Sequence, residues 1–306
     1  MYSLTNAVFS RVLGKPSYFI TMTCNTKWRE IQEQLVGVQR AEHRPDIVAR
    51  VFHLKVKELL LALNDKQVLG RVMAHSYTIE WQKRGRTVAS ILQFNPKLNE
   101  ISLSLPQGLP HVHLLAWMVN DDKPHDKERV DQAICAELPS RQTHPILRDL
   151  VEQFMIHGPC GKDNPMSPCM AGFGEHRKCT KNFPKPCVSE TRLDDENYPV
   201  YRRRAVCDNG NFFQKRIGDR EVAVGNHYVV PYNPSLLLKF RCHINVESVH
   251  CLNSVKYIFK YITKGRQADI SSLKLTYLTY FLFNFSPLRA RPDCLQASGP
   301  RRDLEI

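Results

Sequence analysis

The sequence predicts an α+β domain with a central antiparallel sheet and flanking helices. Three observations carry this. Strand-like and helix-periodic runs are interspersed, and several strand runs follow one another with no helix between them. Asp208-Asn209-Gly210 carries the turn chemistry of a hairpin. A 42% hydrophobic share in 306 residues supplies a real core.

The elements follow in chain order. Tyr18 to Thr23 (YFITMT) is β-branched and aromatic, a strand by composition. From Arg44 to Leu63, Val48, Phe52, Val56, Leu59, Leu60 and Leu63 recur at the helical period. Ser76 to Gln82 and His111 to Met118 read as strands, and Lys127 to Leu138 and Pro145 to Ile156 as helices. Pro145 stands at a first-turn position, where its missing N–H costs nothing. Residues 157–187 are rich in Gly, Pro, Cys and His and lack periodicity, so something other than a core must organise them. Strands resume at Tyr198 to Arg204, around the 208–210 turn, and at Val222 to Val230 and Leu236 to Val246. A last helix is expected over Ser254 to Thr263.

Composition narrows the function classes. Forty-three Lys and Arg against 30 Asp and Glu leave a formal charge of +13, which favours a polyanionic partner. The longest apolar-aromatic run, Leu275 to Phe285, falls short of the about 20 residues a membrane span needs. The N-terminus has no apolar segment behind a basic start, which argues against secretion. Ten cysteines without a secretory signal favour free thiols or metal ligands over disulfides. No G-x-x-x-x-G-K-[ST] phosphate loop occurs.

Two motifs carry chemistry. In Gly108-Leu109-Pro110-His111-Val112-His113 the alternation of a strand turns both histidines to one face, roughly 7 Å apart at the backbone. Two imidazoles so placed can chelate a divalent ion when a neighbouring strand supplies a third ligand. Glu80 is the best third ligand and Gln82, on the same face, the reserve. The bland alternative is a pair of half-buried histidines bonded to backbone. In Val255 to Lys264, helical spacing puts Val255, Ile258, Phe259 and Ile262 on one face and Tyr257, Lys260, Tyr261 and Lys264 on the other. Neighbouring lysines favour a phenolate nucleophile and can hold a phosphate oxygen. The competing reading is a solvated Lys/Tyr face.

Together with two further blocks, these segments resemble the Rep-type nuclease domain of Helitron transposases, in the HUH endonuclease superfamily. The blocks are Pro16 to Asn25 with Lys27-Trp28; Gly108 to His113; Val229 to Pro234 with Cys242 to Glu247; and Tyr257 to Gly265. The resemblance covers about Leu13 to Arg266 and implies a sheet of HUH type. It implies a single-stranded DNA endonuclease and strand-transferase of a rolling-circle transposon, acting in the nucleus on transposon ends. On that reading His111 and His113, with Glu80 or Gln82, hold Mg²⁺ or Mn²⁺, and Tyr257 or Tyr261 attacks phosphorus, with Lys260 and Lys264 beside them. The chain departs from the family at Arg86 to Gln107, an insertion that parts Glu80 from His111, and residues 267–306 form a divergent tail. The helicase region of full-length relatives is absent from this sequence. Two other expectations stand beside the nuclease: an inactive remnant that binds DNA, and a zinc-organised nucleic-acid-binding module.

His157, Cys160, Cys169 and Cys179 offer a Cys₃His set for a structural Zn²⁺, and Cys187 is the weakest further ligand. Free thiols under a long loop are the alternative. Arg202, Arg203 and Arg204, Lys215 and Arg216 beside Phe212 and Phe213, and Lys256 are the expected DNA contacts, because cations next to aromatics suit a single strand.

Overall fold

The computed structural model describes residues 14–81, 93–95, 100–102, 108–172, 176–194 and 198–250. The helix expected over Ser254 to Thr263, with Lys256, Tyr257, Lys260, Tyr261 and Lys264, lies outside them, as does Gln82. In chain order the elements are β1 (Tyr18–Thr23), α1 (Arg29–Gln32), α2 (Pro45–Asn64), β2 (Val72–Trp81), β3 (Gln93–Asn95), β4 (Glu100–Ser102) and β5 (Pro110–Met118). They continue with α3 (Lys127–Ala133), α4 (Pro145–Phe154), the short strands β6 (Met170–Ala171), β7 (Lys178–Cys179), β8 (Arg192–Leu193) and β9 (Pro199–Val200), then β10 (Phe212–Ile217), β11 (Arg220–Gly225), α5 (Pro234–Phe240) and β12 (Ile244–Ser248).

The α+β expectation holds. A four-stranded sheet runs in the order β12-β1-β5-β2, and every neighbouring pair is antiparallel. Its two faces differ in chemistry. Tyr18, Ile20 and Met22 of β1, Val112, Leu114 and Ala116 of β5, and Ile244 and Val246 of β12 turn to one side. There they share a core with the buried stripe of α2, including Val48, Phe52, Val56, Leu59 and Leu63. The period of two in the strands and of 3.6 in the helix thus meet across one layer. Trp28 locks the β1–α1 corner to α5 by donating its indole N–H to the carbonyl of Phe240 at 2.7 Å. The opposite face of the sheet carries Glu80, His111 and His113.

Several boundaries depart from the sequence reading. Leu236 to Val246, expected as one strand, is a helix followed by a strand. Asn233 caps the helix by accepting from the Leu236 N–H, Pro234 sits in the first turn, and Leu236, Leu237 and Phe240 face the core. Arg241, at φ 46°, ends it and releases β12. The Asn-Pro pair is a helix start that the run of apolar residues concealed. Val222 to Val230 is a strand only to Gly225, after which Asn226–Tyr228 forms a 3₁₀ turn. Of Tyr198 to Arg204 only Pro199–Val200 pairs as a strand, and α3 stops at Ala133 rather than Leu138. The Asp208-Asn209-Gly210 turn does not join two paired strands. Asn209, at φ 55°, instead closes a loop in which the Gly210 N–H reaches the Ala205 carbonyl. The real hairpin is β10–β11, closed by Gly218 and Asp219 with Gly218 at φ 58°. Within the expected insertion 86–107, β3 and β4 pair antiparallel. Among the described residues no helix is long and apolar enough to cross a membrane.

Candidate metal centres

The first centre is a consequence of register. Glu80 on β2 stands directly opposite His111 on β5, and Thr78 opposite His113. On the other side of β5, Thr23 pairs with His111 and Thr21 with His113. Directly opposed residues share a face, so Glu80, both histidines and the three threonines project together from the side away from α2. Glu80 Oε2 lies 3.6 Å from His111 Nε2 and 3.7 Å from His113 Nε2. The imidazoles meet edge to face with centroids 4.8 Å apart. Ligands of one ion at about 2.0–2.2 Å sit roughly 3.0–3.5 Å from one another, so these three atoms can hold a metal ion with a small contraction.

Electrostatics suit that use. Burial, and secondarily the neighbouring His111, pull the His113 pKa down to about 4, so its ring is neutral at ordinary pH and needs no deprotonation to act as a ligand. Thr21 Oγ1 lies 3.0 Å from His113 Nδ1, and Phe19 stacks on the same ring at 5.7 Å. Both contacts fix the ring plane. The donor set is one carboxylate and two imidazoles, with no thiol among them.

The second centre lies in the Cys/His-rich segment. One ligand atom from each of His157, Cys160, Cys169 and Cys179 falls within 4.8 Å of the other three, so this group too can hold a metal ion. The expected four residues thus converge although they are spread over 23 positions. The β6–β7 pair brings Met170 opposite Cys179 and so places Cys169 beside it. Cys179 Sγ is 3.3 Å from His157 Nε2 and accepts from the Lys181 N–H at 3.3 Å. Burial works against its thiolate, but backbone donors at Phe183 and Lys181 outweigh it and lower the pKa. Burial pushes the Cys160 thiol up instead. Phe183 stacks on His157 at 4.3 Å, and Tyr228 donates to the Cys160 carbonyl at 2.8 Å, tying the loop to β11 and its following turn. Cys187 is exposed and stands outside the group.

The basic residues separate. Arg203 is only 3% exposed and donates to the carbonyls of Tyr201 and Val229. Arg202 and Arg204 converge on the buried Glu137, at 3.5 and 2.7 Å. In this arrangement Arg202 and Arg204 staple the chain to Glu137, and the buried Arg203 is not presented to a ligand. Lys215 and Arg216 are exposed on the hairpin beside the exposed Phe212, with Lys215 Nζ 3.0 Å from the Gly158 carbonyl. Sequence reasoning missed Thr21 and Glu137. The alternation in YFITMT is the signal that puts Thr21 on the polar face; Glu137 carried none.

The resemblance to Helitron proteins is borne out by a protein family, over part of the chain. Residues 1–87 fit the family model described as the Helitron helicase-like domain at the N-terminus. That stretch includes β1, α2 and Glu80, and stops short of His111 and His113. No curated protein matches the chain.

Proposed function

For a chain whose first 87 residues match the Helitron helicase-like domain, we propose a metal-dependent single-stranded DNA endonuclease and strand-transferase of HUH type, working on transposon ends in the nucleus. One observation carries this reading: Glu80, His111 and His113 converge on one face of an antiparallel sheet, within 3.7 Å of a shared carboxylate oxygen. The hard carboxylate with two imidazoles suits Mg²⁺ or Mn²⁺. Such an ion would polarise a phosphoryl oxygen and offset the negative charge that develops on the phosphoryl oxygens.

The chain's own residues supply the rest. Thr21 and Phe19 hold His113 in plane, and Glu80 brings a carboxylate oxygen within 3.7 Å of both imidazoles. Tyr257 or Tyr261 attacks phosphorus; the new bond joins the phenolic oxygen to the 5′-phosphate, the bond to the 3′-oxygen breaks, and that oxygen leaves as a hydroxyl with a proton. The phosphotyrosine retains the energy of the broken bond, so the hydroxyl of another strand can reverse the step and join. Lys260 and Lys264 favour the phenolate. Lys215, Arg216 and Lys256 are the proposed phosphate contacts. His157, Cys160, Cys169 and Cys179 would hold Zn²⁺, which would order residues 157–187; three thiolates and one imidazole are a usual zinc ligand set.

The test is a nicking assay on labelled single strands from the element's ends, in Mn²⁺ or EDTA, with the chain and its Tyr257→Phe, Tyr261→Phe and His113→Ala variants. Metal-dependent cleavage, with a covalent adduct lost in a tyrosine variant, is expected. Strand binding without cleavage under any condition would replace the nuclease by a binding module, which the Cys₃His geometry favours as the second reading.

A further inference from the structure

A cleft of about 410 Å³ opens at the end of the sheet nearest the Glu80–His111–His113 group. Thr23 lines it, and Thr23 is the register partner of His111 on the neighbouring strand, about 5 Å away across the ladder. Leu109, two residues before His111, lines it as well. The far wall comes from the last turn of α4, through Gln153 and Phe154, and from His243 just before β12. His243 Nδ1 lies 2.8 Å from the Phe154 carbonyl, which fastens those two wall segments together.

Its chemistry does not favour a phosphate as occupant. Among the described residues no Lys, Arg, Asp or Glu lines it; the lining combines hydroxyls, amides, a thiol, an imidazole, a phenyl ring and a leucine. That mixture suits a flat group with an apolar face and a hydrogen-bonding edge. We propose that this cleft receives one unstacked nucleobase of the DNA single strand, next to the phosphate held at the metal group. Phe154 supplies the apolar wall, and the exposed Gln153 amide meets the base edge with both a donor and an acceptor. The inference rests on the single-strand reading above and adds where sequence is read. It also gives the Cys₃His centre a purpose: Phe154 stands three residues before His157, so the loop held there fixes the far wall.

The experiment measures binding of the full chain to a fluorescent oligonucleotide from the element's end, with a single abasic site moved along the strand. The same scan is run with Gln153→Ala, an exposed position whose change leaves the core intact, and with Phe154→Leu. At one position the missing base should cost the unaltered chain about 5- to 100-fold in affinity, the range of one base stacked on protein, and cost the variants little. Equal sensitivity of chain and variants at every position would overturn the cleft assignment while leaving strand binding in place. Failure of the unaltered chain to bind any single strand would overturn the parent reading and the cleft together.

Discussion

Thr21 Oγ1 sits 3.0 Å from His113 Nδ1, across one rung of the β1–β5 ladder. When Nδ1 carries the proton and the hydroxyl accepts it, Nε2 keeps its lone pair on the side of Glu80. A ligating histidine held this way by its second nitrogen binds more tightly, and loss of such a partner typically costs about 10- to 100-fold in metal affinity. Thr21→Val, close in shape, should lower Mn²⁺ affinity by that factor, measured by the loss of the free-ion electron paramagnetic signal on titration. Thr21→Ser should restore it. Equal affinity in all three would remove Thr21 from the centre.

The same histidine should leave a mark on stability. Its folded pKa of about 4 lies below the ordinary value of 6.5, because burial and His111 oppose the charge. The unfolded chain therefore takes up a proton first. This contribution to stability is complete above about pH 6.5 and is lost as pH falls through about 4. In EDTA, denaturant unfolding of the chain should weaken across that window more steeply than in His113→Gln. His75, His157, His227 and His250 are also held low by burial, so the difference between the two proteins is the quantity to read. Parallel curves would mean that His113 is not buried in the neutral form.

How much of this was legible in the sequence depended on whether a signal was local. The alternation in His111-Val112-His113 fixed which face the ligands share, and the β2 pattern put Glu80 on a matching face; both survive because a strand's period is insensitive to its ends. The Cys₃His set was legible as residue types, but its convergence needed the β6–β7 pairing, which two-residue strands do not announce. α5 was misread because Leu236 to Leu238 satisfies either period, and the cap at Asn233 decides. Arg202 to Arg204 reads as a charge run; only the distant Glu137, buried at 6% exposure, shows what Arg202 and Arg204 serve. Pairings of that kind lie outside any window of sequence.

If the Cys₃His centre holds zinc, its removal should be local. Cys169→Ser or Cys179→Ser should release the metal, detected with a chromophoric chelator, and open residues 157–187 to protease. The sheet, whose core does not include these cysteines, should keep its circular dichroism. A segment this poor in apolar residues has little else to fold it. Full protease resistance after chelation would show that packing of Tyr228, Val224 and Phe183 suffices.

Glu137 provides the last contrast, between arginines that fold the chain and cations proposed to meet DNA. Burial raises a carboxyl's pKa, yet hydrogen bonds from the Arg204 guanidinium and backbone, with Arg202 nearby, bring that of Glu137 below its ordinary value. Its oxygens also lie 2.7 Å from the Arg204 N–H and 3.4 Å from Asn226 Nδ2. Removing one member of a buried pair costs about 3–5 kcal/mol, and the partial exposure of Arg202 and Arg204 discounts that to roughly 2–3. Glu137→Gln should lower stability by that amount in urea unfolding, and Arg204→Ala by somewhat less. Neither should flatten the dependence of log affinity for single-stranded DNA on log salt. Lys215→Ala and Arg216→Ala should do the opposite, leaving stability within about 0.5 kcal/mol and reducing the slope by about 0.7 for each phosphate no longer neutralised. A shallower slope in Arg204→Ala would return that arginine to the DNA surface.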